Sequence, residues 1–375
     1  MPPHAIRSTS SVKLFCERRT QKVRMTPMRV TRTFYRSAGL FLCLLFPLTY
    51  AWPDMVTPPD KNDKSPSKDQ VMWTQTDVAY DFVSEYDYVA PSSVDFGSGH
   101  AGHLSEQYTD FRHVMTRRTW LAFLWHAGVE WQRTGFNGDA PHTLPIPQEM
   151  DIMNLYLATD FRWSDRDMIR LQAQPGFYTD LESVDGKDIN TPMAIAYTRI
   201  PSKTFQWAVG LSINTLRKQP YLPGGGFRWQ LNDRWKLKFM LPTPQVEYKA
   251  SDVLHVWIGA DLRGDTYRVG PHFGDDHGSP TLNNAIVDYE EIRSGTGFSW
   301  NIKPLVELNC EAGYLMQRQF DYHNNGISAG SQPAPYINIS LRILFQLLKD
   351  ERPMDQQIRQ MQIEFPSLNT FFKIP

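Results

Sequence analysis

A period of two runs through most of this chain. In residues 205–214, FQWAVGLSIN, the positions Phe205, Trp207, Val209, Leu211 and Ile213 are large and apolar, while Gln206, Ala208, Gly210, Ser212 and Asn214 between them are small or polar. Successive side chains of a β-strand point to opposite faces, so such a segment carries one apolar face and one polar face. The same alternation returns in residues 121–131, 153–163 and 337–345. Amphipathic strands repeated behind an export signal predict an all-β fold, an antiparallel transmembrane β-barrel.

The connections support this reading because they alternate between short and long. The short ones are 116–119, 164–167, 201–204, 232–233, 249–252 and 301–304, all suited to tight turns. The long ones are 136–148, 178–190, 217–226, 263–284 and 320–335. Strict alternation places every short turn at one end of a barrel and every long loop at the other, as in outer-membrane barrels. Fourteen strands are predicted, at 72–89, 105–116, 119–135, 150–163, 168–178, 191–200, 204–216, 226–231, 234–241, 244–249, 253–263, 285–300, 304–319 and 335–345. The segments 105–116, 226–231 and 244–249 carry the weakest alternation, which leaves a count of 12 open. Pro242 and Pro244 would each remove a ladder hydrogen bond and are expected in a turn. Trp120, Trp131, Phe161, Trp163, Phe205, Trp229, Trp235, Phe298, Trp300 and Phe345 cluster near turns or loops, as aromatic girdles do. A soluble periplasmic β-rich binding domain is the competing reading, and it would place its aromatics centrally.

The ends are of a different kind. Residues 1–51 carry nine Lys or Arg and one acid, and from Met28 they read as three arginines, an apolar run over 38–48 and a small-residue end at Ala51. That is the layout of a cleaved signal peptide, with translation starting at Met25 or Met28. Residues 52–70 are rich in proline and charge and read as a flexible linker. The barrel is expected over 71–345, and 346–375 as a periplasmic tail that is part helical through Leu347, Leu348, Met354, Ile358, Met361 and Ile363. No segment after residue 51 holds the roughly 18 consecutive apolar residues of a membrane helix. Residues 52–375 carry 30 basic and 39 acidic side chains, so no nucleic-acid partner is expected. Cys310 is the one cysteine beyond the leader, which leaves no internal disulfide.

If the apolar set faces lipid, the opposite set lines the interior. That set places Asp77, Asp81, Glu85, Glu130, Asp160, Asp261, Glu307 and Glu311 against Arg162, Arg170, Arg228, Lys236, Lys238 and Arg342. Such charges either pair into a plug-like network or line a watery path. His126, His255 and Ser212 are the inward candidates for a nucleophile and its base, but no motif joins them, and they read first as satisfied interior groups. In GPHFGDDHG, His272, Asp275, Asp276 and His277 are suitable metal donors at no specific spacing, so a solvated loop is expected and no metal. Gly224, Gly225 and Gly226 lack the lysine and helix of a phosphate loop and read as a turn. No catalytic residue and no cofactor is assigned.

Residues 224–269, with the glycines ahead of Phe227, the turn Leu231-Asn232-Asp233-Arg234-Trp235, the prolines around Pro242 and Tyr248 before a short turn, resemble a family of uncharacterised, predicted outer-membrane β-barrel proteins of Gram-negative bacteria. The resemblance implies fold and location, with outer-membrane lipid and the barrel assembly machinery as partners, and it brings no catalytic residues. The expected function is a passive or substrate-selective pore for a small solute, or a structural surface protein. A lipid-modifying barrel enzyme is the alternative of another class.

Overall fold

Each of the fourteen predicted strands takes a place in one antiparallel sheet, and in the computed structural model that sheet closes on itself. The structure describes residues 78–96, 99–119, 123–164, 166–303 and 305–346. The leader, the linker and the tail beyond residue 346 lie outside them, as do Asp77 and Trp120. In chain order the strands are β1 (Val78–Phe96), β2 (Gly99–Thr119), β3 (Phe123–Gly138), β4 (Glu149–Arg162), β5 (Asp167–Ala173), β6 (Gly176–Thr179), β7 (Ile189–Asn190), β8 (Met193–Ser202) and β9 (Phe205–Ile213). They continue as β10 (Tyr221–Gln230), β11 (Trp235–Met240), β12 (Gln245–Lys249), β13 (Leu254–Arg268), β14 (Ile286–Lys303), β15 (Val306–Tyr322), β16 (Ile327–Ser331) and β17 (Ala334–Gln346). Strands β5 and β6 follow one another along one stave, as do β7 and β8, and β16 and β17, so the ring has 14 staves. It closes where β1 pairs with β17, from Ala79 opposite Gln346 to Val89 opposite Tyr336. Closure leaves no unpaired sheet edge, which a soluble sandwich would have to protect by other means.

Facing follows the sequence alternation. Within β9, Gln206, Ala208 and Ser212 are buried in the lumen while Val209 is 51% exposed on the outside. Leu155, Leu157, Ile195, Ile258, Phe298, Ile337 and Ile339 are exposed in the same way on other staves. A continuous apolar belt of this extent is unfavourable in water and matched in hydrocarbon, so the outer wall is lipid-facing. The substitution Val209→Arg, at the middle of β9, is expected to cost about 2–4 kcal/mol, and Phe205→Arg at its turn end about 0–1 kcal/mol. Denaturant unfolding in lipid vesicles measures both, and equal costs would contradict a lipid-facing wall.

The short turns gather where β1 begins and β17 ends, and the longer connections at the opposite end. Several boundaries differ from the sequence reading. Residues 116–119, expected as a turn, are the last residues of β2, and residues 90–104, expected to connect, belong mostly to the β1–β2 hairpin. The expected loop 320–335 is the end of β15, a turn at 323–326, β16 and the start of β17. Arg263–Arg268 extends β13 rather than starting a loop.

Gly224, Gly225 and Gly226 form strand, not turn. Leu241 donates to the Gly225 carbonyl, so Gly225, and Pro223 two residues before it, direct their nitrogens toward the β11 side. There β11 pairs only from Gly226 onward, so the N–H that proline lacks has no ladder partner to lose. At Gly226 a Cβ would lie 2.0 Å from the Phe239 carbonyl oxygen, so only glycine fits. The turn expected at Pro242 and Pro244 is present between β11 and β12.

One bulge changes the inward parity. Arg293 pairs with Leu315 but Ile292 pairs with Gln317, which leaves Met316 as the extra residue. Below it the buried residue of β15 is Leu315, and above it they are Arg318, Phe320 and Tyr322.

Candidate functional site

The lumen is filled in layers. At the loop end, inward side chains of the tall staves meet two connections: 139–148, which holds the short helix α1 (Ala140–Thr143), and 269–285, which holds α2 (Phe273–Asp276). Val94, Leu104, Ile146, Leu282 and Val287 are fully buried there. Phe136, Tyr289 and Phe320 form a triangle of rings with centroids 5.0–5.5 Å apart. Together they form an apolar cap. The connections are tied over it: Arg268 Nε donates to the Lys187 carbonyl at 3.0 Å, and the Gly270 amide donates to Asp180 at 2.8 Å. Burial pushes the Asp180 carboxyl above its ordinary value, against the pull of the Gly270 and Glu182 amides.

Beneath the cap lies a layer of ion pairs. Arg293, 1% exposed, reaches Asp87 at 3.0 Å, Glu106 at 3.0 Å and Glu291 at 2.6 Å. Arg318 meets Glu106 at 2.8 Å and Glu291 at 3.2 Å. Tyr289 donates to Glu106 at 2.9 Å and also to Glu291. Arg263 continues the network to Asp87 at 2.5 Å, Glu85 at 2.8 Å and Asp261 at 2.5 Å. The guanidinium of Arg318 lies 5.8 Å from the Phe136 ring centre and that of Arg293 5.2 Å from Tyr336, so cap and charge layer pack as one body.

Toward the short turns the lumen opens into a polar cavity of about 410 Å³. Its walls carry Arg112, Arg228, Lys236, Lys238 and Arg342 with Glu130, Glu247, Glu307 and Glu311, together with Trp257 and Tyr108. Glu247 binds Lys236 at 2.9 Å, Lys238 at 2.6 Å and His255 at 2.7 Å, and Arg342 grips Asp81 with two nitrogens. A second, smaller cavity of about 20 Å³ adjoins it between β3, β4, β5 and β8, lined by Asn154, Gln172, Gln174, Tyr178, Arg217 and Asp265. Glu130 and Gln132 line both cavities. The Glu130 carboxylate, buried on β3, accepts from Gln132 at 2.8 Å, Asn154 at 3.1 Å and Gln174 at 2.9 Å, with Arg112 at 3.9 Å.

The inward charges expected from alternation stand in the lumen, among them Asp81, Glu85, Glu130, Asp160, Asp261 and Arg342. Arg170 and Asp160 form a bidentate pair. His126 is held between them and β2: its Nε2 donates to Asp160 at 3.1 Å, which leaves Nδ1 to accept from Thr116 at 2.8 Å. His255 is engaged by Glu247. His126 and His255 lie near the short turns, whereas Ser212 lies next to the last residue of β9 at the loop end, so the three do not form a catalytic set. The ring nitrogens of His277 lie 2.7 Å from the Phe273 carbonyl oxygen and 3.1 Å from that of Pro141, which pins α2 to α1. His272 pairs loosely with Asp275 at 3.9 Å on the surface. Among the described residues, no three His, Cys, Asp or Glu side chains are arranged to hold a metal. Alternation alone did not single out Asp87, Glu106, Glu291, Arg293 or Arg318, whose ion-pair partners lie up to 212 positions away.

No curated protein matches the sequence. Among solved structures, the COG4313 outer membrane channel from Pseudomonas putida F1 is similar at 9% identity and a TM-score of 0.40, covering 77% of this chain and 100% of its own. OprB of Pseudomonas putida is similar at 8% identity and 0.31, covering 74% and 96%, and a FadL homologue of Pseudomonas aeruginosa at 10% and 0.28, covering 73% and 91%. The family whose signature matches the sequence spans residues 126–346 and includes the stretch 224–269. The chain belongs to that family, the domain of unknown function DUF6268.

Proposed function

We propose that this protein is an outer-membrane channel for small hydrophilic solutes whose lumen is capped at the loop end. The observation that carries the reading is the polar cavity of about 410 Å³ inside a wall whose outer face is apolar. A volume of that order suits a small solute, and charged side chains of both signs keep it wetted. Export through the signal peptide would deliver the chain to the periplasm, and the aromatic Phe345 on the last strand is the kind of residue the barrel assembly machinery reads. The apolar cap makes this a selective channel rather than a wide one.

Reconstitution in planar bilayers tests the reading. Stepwise conductance is expected, together with fractionation into the outer membrane and a gel mobility that changes on heating. Absence of channels at high protein load, in the native chain and in variants with an opened lumen, would overturn it.

A further inference from the structure

The large cavity does not run straight to the loop end, because the ion-pair layer and the cap fill the lumen beside β1, β2, β14, β15, β16 and β17. Beside it, sharing Glu130 and Gln132 as a common wall, lies the small chamber against β4, β5 and β8. That chamber has space for about one water molecule. We propose that Glu130 and its amides form the selectivity neck of the lumen, which passes small cations and turns back anions. The inference rests on the channel reading above and adds a route and a class of solute to it.

Three observations place a cation there. Glu130 is the one charged side chain that lines both cavities, and three of the donors around it, Gln132, Asn154 and Gln174, are neutral amides. Arg112 stands at 3.9 Å with Asp110 beside it on the cavity wall, and Arg217 lines the chamber together with Asp265, so around the neck three carboxylates stand against two guanidiniums. Asn154, buried in the chamber lining, donates from its Nδ2 to Glu130 at 3.1 Å and to the Tyr178 hydroxyl at 3.4 Å, and its Oδ1 has no hydrogen-bond partner. A carboxylate and an amide oxygen beside a water-sized space are hard oxygen donors, suited to a monovalent cation or an ammonium group and repellent to an anion. The amide bridges also set the width: Gln174, between β5 and β6, donates to Glu130 at 2.9 Å, and Gln172 donates to Gln174 at 3.4 Å, so side-chain amides and not the backbone close the neck.

The test is the reversal potential of the full-length protein in planar bilayers across a tenfold KCl gradient. The native channel is expected to prefer K⁺ over Cl⁻. Glu130→Gln, which keeps the shape, is expected to lower that preference several-fold, and the double variant Q132A/Q174A to raise single-channel conductance at least twofold while keeping it. Heat-modifiable gel mobility verifies that each variant is folded. If the native channel conducts and both variants leave selectivity and conductance within experimental scatter, the neck is not the route, and the channel reading survives. Conductance in Q132A/Q174A alone would identify these amides as the closing element. Silence in both would overturn the channel reading and the neck together.

Discussion

Replacing Arg293 with methionine is expected to destabilise the barrel by about 3–5 kcal/mol, a loss comparable to much of the stability of an ordinary domain. Methionine fills similar space, so the cost is electrostatic. Asp87, Glu106 and Glu291 would lose their shared cation at 3.0, 3.0 and 2.6 Å while remaining buried. Arg263 and Arg318 remain beside them, but one positive charge fewer then faces the same buried carboxylates, and an uncompensated buried charge is among the most expensive things a fold can hold. Denaturant unfolding in detergent or vesicles gives the number, and adding Glu291→Gln to Arg293→Met should recover part of it, since one stranded charge is then removed. A loss below about 1 kcal/mol would mean that water reaches this layer and that its ion pairs behave as surface pairs do.

The second large effect is expected at the cap. Phe136→Ala should cost about 3–5 kcal/mol, because the ring is 4% exposed and packs edge-on against Tyr289 and Phe320. It also removes the face over which the Arg318 guanidinium sits. The void would join the apolar and charged layers, so conductance in bilayers should rise even as stability falls. A destabilised barrel with unchanged conductance would show that the cap is structural and seals nothing.

Much of the wall could be read in advance, and the reason is local. A strand that faces lipid on one side and a wet lumen on the other must alternate, so Phe205, Trp207, Val209 and Leu211 declared their side without reference to any partner. Charges such as Asp81, Glu130 and Arg342 were legible by the same rule. Two things were not. Above Met316 the bulge moves the inward set from odd to even positions, so Arg318, Phe320 and Tyr322 fall out of the phase set by Glu311 and Leu315. Towards the loop end the lumen is apolar, so Leu104, Phe136 and Val287 face inward on strands whose outer faces are apolar too, and the alternation fades where the cap forms. The pairing of Glu106 with Arg293 and Arg318 belongs to the closed ring and has no trace in short-range spacing.

Closure through β1 and β17 has a temporal consequence. The pairing of Ala79 with Gln346 joins the first strand of the ring to the last, so the ring lacks its final seam until the last strand has left the ribosome. Up to that point β1 offers an open row of amides and carbonyls beside half-built apolar staves, the state most inclined to pair with the wrong neighbour. Such a ring closes in one late event, and any truncation that removes β17 should yield an aggregate rather than a smaller barrel.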